Sequence, residues 1–194
     1  MRALISALLL LVASGCPAQD ETAPNVAPET KTFATPKVPA ALFTHDKTAL
    51  LAPECERIAS FLARHAAEQY TAAVLRGDSK AMTQGRLLLT VSLHLAPLNA
   101  AAVHCADSWS EGRSPSLPPP GEDLRILTSF MVSAAQRQAG APGTAREVLA
   151  RILIRLAADL DPANEDAIYA SELQDRAGHA PPLRELLEGT VAAK

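Results

Sequence analysis

The sequence predicts an all-α fold, and three observations lead to it. Apolar residues make up 48% of the 194 residues but aromatic residues only 4%, so the core must be built from Leu, Ala, Ile and Val. That composition favours closely packed helices over a β-sheet. Apolar residues also recur at intervals of three and four, the period of one helix face. Finally, the stretch 78–106 is repeated at 143–171, which indicates antiparallel helical hairpins stacked as a short α-solenoid.

Composition and motifs exclude several classes of function. The formal net charge is −3 and no run of basic residues occurs, which argues against nucleic-acid binding. The sequence contains no Gly-x-Ser-x-Gly motif and no glycine-rich phosphate loop, the usual signatures of hydrolases and nucleotide enzymes. We therefore predict a protein that is not an enzyme and needs no cofactor.

The first 15 residues predict a secretory signal. A basic start at Arg2 is followed by an apolar run over 3–13, which is too short to span a bilayer. The residues Val12-Ala13-Ser14-Gly15-Cys16 resemble a bacterial lipobox, with Ala13 in place of the usual leucine. The resemblance implies that Cys16 receives diacylglycerol and becomes the first residue of the mature protein. The alternative is ordinary secretion, with cleavage after Ala18 and loss of Cys16.

Residues 16–44 are predicted to form a disordered tether between the lipidated cysteine and the folded part. This segment is rich in proline, threonine, glutamate, lysine and alanine. A chain of that composition cannot bury enough apolar surface to offset the entropy lost on ordering. Phe33 and Phe43 are its aromatic residues, and we interpret them as solvated linker rather than as a docking segment. The folded domain is accordingly predicted to cover 45–194.

The first helical unit is predicted over 54–112. A long amphipathic helix covers 54–76, and Asp78 caps a second helix that ends at Leu95. Pro97 is predicted to begin a shorter third helix, because proline is favoured in the first turn of a helix.

A proline-rich connector over 113–121 separates this unit from a second one over 121–178. Its prolines exclude a helix. Helices are then predicted over 122–138, from the cap Thr144 to Leu160, and from Pro162 to about Gly178. A short helix within 182–191 is predicted to cap the stack.

The repeat is clearest at the turn after each second helix. Leu95-Ala96-Pro97-Leu98-Asn99 aligns with Leu160-Asp161-Pro162-Ala163-Asn164, and the small residue Gly85 aligns with Ala150. Each copy has the same pattern: a small residue, a large apolar residue, a second small residue and then Leu-x-Pro-x-Asn. This pattern resembles the second helix and the following turn of the tetratricopeptide family. The family's glycine is missing from the first helices, where Asp107 and Glu172 stand. The resemblance implies irregular tetratricopeptide-like hairpins that present a shallow face to a partner protein.

The resemblance also indicates where a partner would bind. In the tetratricopeptide family the shallow face is lined by the first helix of each hairpin. By this resemblance, the helices that follow the two Leu-x-Pro-x-Asn turns take that place, and they carry His104, Trp109, Tyr169 and Arg176. Trp, Tyr and Arg dominate the energetics of protein interfaces. The alternative for Trp109 and Tyr169 is that each fills the core, since a large aromatic ring is usually buried.

Cys55 and Cys105 are the only thiols besides Cys16. In an oxidising compartment they could bridge the first and third helices, and closing a loop of about 50 residues would stabilise the fold by roughly 3–4 kcal/mol. The alternative is two buried free thiols. We predict no metal site, because no Cys-x-x-Cys or His-x-x-x-His pair occurs. The acidic cluster Asp159, Asp161, Glu165 and Asp166 lacks the glycine of a calcium loop and is interpreted as a solvated helix junction.

These inferences predict a lipid-anchored scaffold of the bacterial cell envelope, held to the bilayer through Cys16 and docking an envelope protein on its helical surface. We expect it on the periplasmic side of the outer membrane, with the inner membrane as the alternative. A rival hypothesis is a ligand-binding protein, metal-binding protein or enzyme that uses a pocket between the two units, lined by His65, His104 or Cys105. A third is a purely structural spacer.

Overall fold

The computed structural model describes residues 41–119, 121–138 and 144–190, and it confirms the all-α fold for them. No strand occurs in these ranges. Seven helices follow one another along this part of the chain: α1 (Ala52–Arg76), α2 (Ser79–Leu95), α3 (Ala100–Ser110), α4 (Leu124–Arg137), α5 (Ala145–Leu160), α6 (Glu165–Arg176) and α7 (Leu183–Glu188).

Helices α1 and α2 form an antiparallel hairpin with a two-residue turn. Gly77 ends α1 in the left-handed region with φ 65°, a conformation that favours glycine. The Asp78 carboxylate then accepts hydrogen bonds from the first amides of α2. Gly85 lies at the closest approach, where an added Cβ would come within 3.3 Å of the Ala66 carbonyl oxygen. The buried Ser92 hydroxyl donates to the Ala59 carbonyl at 2.7 Å and links the two helices further along.

Helix α3 lies parallel to α1. At its start the Asn99 side-chain amide donates to the Ser60 hydroxyl at 2.7 Å, and near its end Trp109 stacks on Tyr70 with ring centroids 4.8 Å apart. Contacts therefore advance in the same direction along both helices. Helices α1 and α3 thus run in one direction and α2 in the other, and together they enclose the apolar interior of this part of the fold.

The turns after α2 and α5 are built in the same way. Asn99 and Asn164 both cap the following helix, each accepting a hydrogen bond from the amide three residues on. The amide of each asparagine also donates to a hydroxyl group, on Ser60 of α1 and on Thr128 of α4 respectively. Two residues after the last residue of each third helix stands a glycine with φ 69°. The two Leu-x-Pro-x-Asn motifs thus form the same turn and the same helix cap.

Packing around the two copies differs. Leu88 and Leu153 are both fully buried, whereas Leu89 is fully buried and its aligned residue Ile154 only partly. The reason is that α3 rests mainly on α1, but α6 rests mainly on α5. Equivalent positions therefore meet different neighbours, and the aligned residues are not interchangeable in the core.

The predicted starts of α3 and α6 are corrected by the structure. Pro97 and Pro162 lie in the turns, and the helices begin at Ala100 and Glu165. The caps are the asparagines two residues after each proline. An asparagine side chain satisfies a free amide at a helix start, and this local signal outweighs the preference for proline in the first turn.

The folded part begins earlier than the predicted boundary at residue 45. Phe43 has no exposed surface, its amide donates to the His94 carbonyl oxygen at 3.1 Å, and its ring packs edge-on against the His94 ring at 5.8 Å. The Ala49 amide donates to the fully buried Gln138 side chain at 2.9 Å. We define 42–50 as the N-terminal strap, because it joins the end of α2 to the end of α4.

The last described helix, α7, packs on α2 and buries Leu186. This is the short final helix that the sequence predicted within 182–191, and it ends at Glu188. Residues 1–40, which include the predicted signal, Cys16 and most of the predicted tether, lie outside the described residues. Among the helices that are described, none combines the length and the apolar character needed to cross a bilayer.

Candidate docking surfaces

The most exposed aromatic residue of the helical domain lies on α6. Tyr169 is 65% exposed, and Leu173, one turn further on, is 47% exposed. Arg176 follows on the same side of the helix and pairs with Glu172 at 3.2 Å. Positions four and seven residues after the tyrosine share its helix face. These residues form what we call the α6 surface: Tyr169, Leu173 and Arg176.

His104 is exposed on α3, next to Val103, which is 37% exposed. No hydrogen bond, ion pair or ring contact links His104 to Tyr169 within the described ranges. The structure therefore brings Tyr169 and Arg176 together and leaves His104 on another helix. Leu173 is not among the binding residues that the sequence predicts, although its spacing of four from Tyr169 indicates it.

Trp109 is a core residue rather than part of a docking surface. It is only 1% exposed, stacks on Tyr70 and reaches the helix crossing at Gly85. Its indole Nε1 has no hydrogen-bond partner among the described residues. The ring acts through its apolar area, which matches the alternative that the sequence left open.

Cys55 and Cys105 are both buried and free. Because α3 is parallel to α1 and Trp109 lies level with Tyr70, Cys105 lies about four residues before that level. Cys55 lies 15 residues before it. At about 1.5 Å per residue the two are separated by about 16 Å along the helices, whereas a disulfide requires Cα atoms within about 7 Å. The two cysteines fill the core as small apolar side chains.

Both thiols are expected to resist alkylation in the folded protein. Burial raises the pKa of Cys55 to about 11, with Glu54 and Glu56 adding to the shift, and it raises the pKa of Cys105 to about 12. At about pH 8 the reactive thiolate is then roughly one part in a thousand and one in ten thousand respectively. In a Cys16→Ser chain, we expect iodoacetamide labelling at least about a hundredfold slower than in guanidinium chloride. Equal rates in the two conditions would contradict buried thiols.

Three open clefts lie on the described part of the domain. These clefts have volumes of about 380, 240 and 430 Å³, and neither His65, His104 nor Cys105 lines any of them. His65 instead contacts Phe61 and lies 3.0 Å from a Glu68 oxygen. Burial lowers the pKa of His65, and Glu68 opposes that shift.

Within the described ranges, no three His, Cys, Asp or Glu residues are placed to hold a metal ion. The acidic residue closest to the interior is Asp161, which is 7% exposed. Its carboxylate accepts from the Thr128 hydroxyl at 3.2 Å and from the Ala163 amide at 3.1 Å. Asp161 therefore stabilises the turn between α5 and α6 and binds α4 to it.

Comparison with known proteins found no matching family model, no matching curated protein and no matching solved structure.

Proposed function

We propose that this protein is a lipid-anchored docking scaffold of the bacterial cell envelope, whose helical domain binds an envelope protein through the α6 surface. The observation that carries the proposal is the exposure of Tyr169 and Leu173 one turn apart, beside Arg176. Tyrosine and arginine are enriched among the residues that provide most binding energy in protein interfaces, and apolar side chains at helical spacing anchor a helix face in a groove.

The anchoring half of the proposal is supported by the lipobox-like residues that end at Cys16 and by the proline-rich composition after them. Acyl chains on a cysteine would confine the domain to a membrane surface, because each buried methylene contributes about 0.8 kcal/mol. Confinement raises the local concentration of the scaffold around membrane partners. We place it on the periplasmic side of the outer membrane.

We also propose that α1–α3 and α4–α6 are two tetratricopeptide-like units of a short solenoid. Support comes from the identical capping by Asn99 and Asn164 and from their matching hydroxyl partners on α1 and α4. The different packing of α3 and α6 makes the solenoid irregular. An irregular stack leaves the α6 face uncovered, and that face is the one proposed to dock the partner.

A photocrosslinking experiment tests both halves in living cells. A photoreactive phenylalanine analogue at Tyr169 is expected to yield a discrete adduct in the membrane fraction, and the same analogue at the exposed Arg146 of α5 is not. Leu173→Asp should reduce the adduct by more than about half, because a buried charge at an interface is costly. Cys16→Ser should move the chain out of the membrane fraction and remove the adduct. The same adducts from positions 169 and 146 would contradict a docking role for α6.

A further inference from the structure

The proline-rich connector lies along one face of α1. The Arg57 guanidinium donates to the Glu122 carboxylate through Nε and Nη2, with Nε 3.1 Å from one carboxylate oxygen. Two turns further along α1, the Arg64 Nη1 donates to the Pro119 carbonyl oxygen at 3.1 Å. Beyond that, Pro115 and Thr71 line the same cleft. The connector therefore runs antiparallel to α1, and its end with Glu122 lies over the start of the helix.

The lengths of the two segments match. Arg57 and Thr71 are 14 residues apart, which is about 21 Å along a helix. Pro115 and Glu122 are seven residues apart, which is about 22 Å if the chain is as extended as polyproline II. The backbone over 113–119 has no helical or strand structure, and proline lacks an amide donor. A side chain and a carbonyl oxygen of an extended segment thus meet two arginines on one helix face.

The contact is shallow and incomplete. Pro115 is buried and Leu117 partly buried, but Pro118 and Pro119 are exposed. Open clefts of about 380 Å³ and about 240 Å³ remain beside the connector, and Arg64 lines both of them. The Arg57 side chain is 41% exposed in its pair with Glu122, and ion pairs this exposed contribute little to stability. The exposed part of the contact is thus its polar end at Glu122, whereas Pro115 and Leu117 hold the connector by apolar packing.

We propose that this face of α1 is a peptide-binding surface, covered in the free protein by the chain's own connector and used by an extended, proline-containing segment of a partner protein. The connector's contacts define the chemistry of that segment. It presents a backbone carbonyl to Arg64 and, three residues later, a carboxylate to Arg57. A leucine or proline before them fills the apolar cleft that includes Ala67, Ala72 and Leu75.

This surface is separate from the α6 surface and does not depend on it. Because the connector is attached at both ends, it competes at an effective concentration in the millimolar range. A partner segment of equal intrinsic affinity then binds weakly until the connector is displaced. The face of α1 is then a docking surface for which the connector competes intramolecularly.

The test uses the full chain and a fluorescent peptide with the sequence of residues 113–123. In the open variant, residues 115–119 are replaced by glycine and serine and Glu122 by glutamine. We expect this variant to bind the peptide at least about tenfold more tightly than the unmodified chain. Adding Arg57→Gln to the open variant should weaken peptide binding by up to about fivefold, the size expected for loss of an exposed ion pair. Arg146→Gln, which removes an exposed arginine on α5, should leave the gain intact.

A second variant keeps the test independent of how the connector replacement affects folding. Glu122→Gln alone retains every proline, and we expect it to raise peptide affinity by a smaller factor. Circular dichroism establishes whether each variant keeps its helical content. Absence of peptide binding in both variants while they remain folded would overturn the proposal, as would equal binding with and without Arg57. Neither result would affect crosslinking from Tyr169.

Discussion

Replacement of Trp109 by alanine is expected to lower the free energy of unfolding by about 3–5 kcal/mol, the usual cost of removing a large buried ring. The indole is 1% exposed and is held between Tyr70 and the helix crossing at Gly85. Its loss leaves a cavity at the point where α1, α2 and α3 meet. Guanidinium titration followed by circular dichroism at a helical wavelength measures the change.

Trp109→Phe is the matched control for that measurement. Because the indole Nε1 has no partner among the described residues, phenylalanine retains much of the apolar contact and gives up no hydrogen bond there. We expect it to recover more than half of the stability that alanine loses. Equal losses for the two variants, or a loss below about 1 kcal/mol for alanine, would be incompatible with a tryptophan that acts as the centre of this core.

Replacement of Phe43 by alanine is expected to be nearly as damaging, again at about 3–5 kcal/mol. Phe43 has no exposed surface and anchors the N-terminal strap against His94 at the end of α2. Its removal frees the strap from the core and weakens the link through Ala49 to Gln138, the residue that follows α4. Chemical denaturation of the purified variant checks the size of the loss.

Two further chains sharpen the test of the strap. Leu98→Ala is the control, because Leu98 is 90% exposed and surface substitutions usually stay within about 0.5 kcal/mol. A chain that begins at residue 45 should be destabilised as strongly as Phe43→Ala. If that truncated chain kept the stability of the intact protein, the strap would be part of the tether after all.

Much of the helical framework is predictable from local chemistry. The bounds of α2 and the ends of α1 and α5 follow from Asp78, Gly77 and the periodicity of apolar residues, and the structure places them at the predicted residues. Asn99 and Asn164 carry equally local information. A proline two residues before each asparagine gives a competing start signal, so the sequence predicts helix starts at Pro97 and Pro162.

The candidate sites were less predictable, because exposure depends on distant parts of the chain. Tyr169 and Trp109 occupy similar third helices, but Trp109 is covered by α1 and α2 while the outer side of α6 is uncovered. In the sequence, the face of α1 that carries Arg57 and Arg64 has the polar pattern of an ordinary solvent-exposed helix face. Only the position of Glu122, 65 residues later, identifies it as a surface that holds an extended segment.

For the residues that the structure describes, the order of amino acids alone determined the all-α class, the number of helices and the repeated turns, because caps, turns and periodicity act between residues a few positions apart. Three features needed the folded arrangement: the burial of Phe43 and Trp109, the wide separation of Cys55 from Cys105, and the connector laid along α1. Each depends on which surfaces meet in space, and contacts between residues far apart in the chain leave no periodic trace in the sequence.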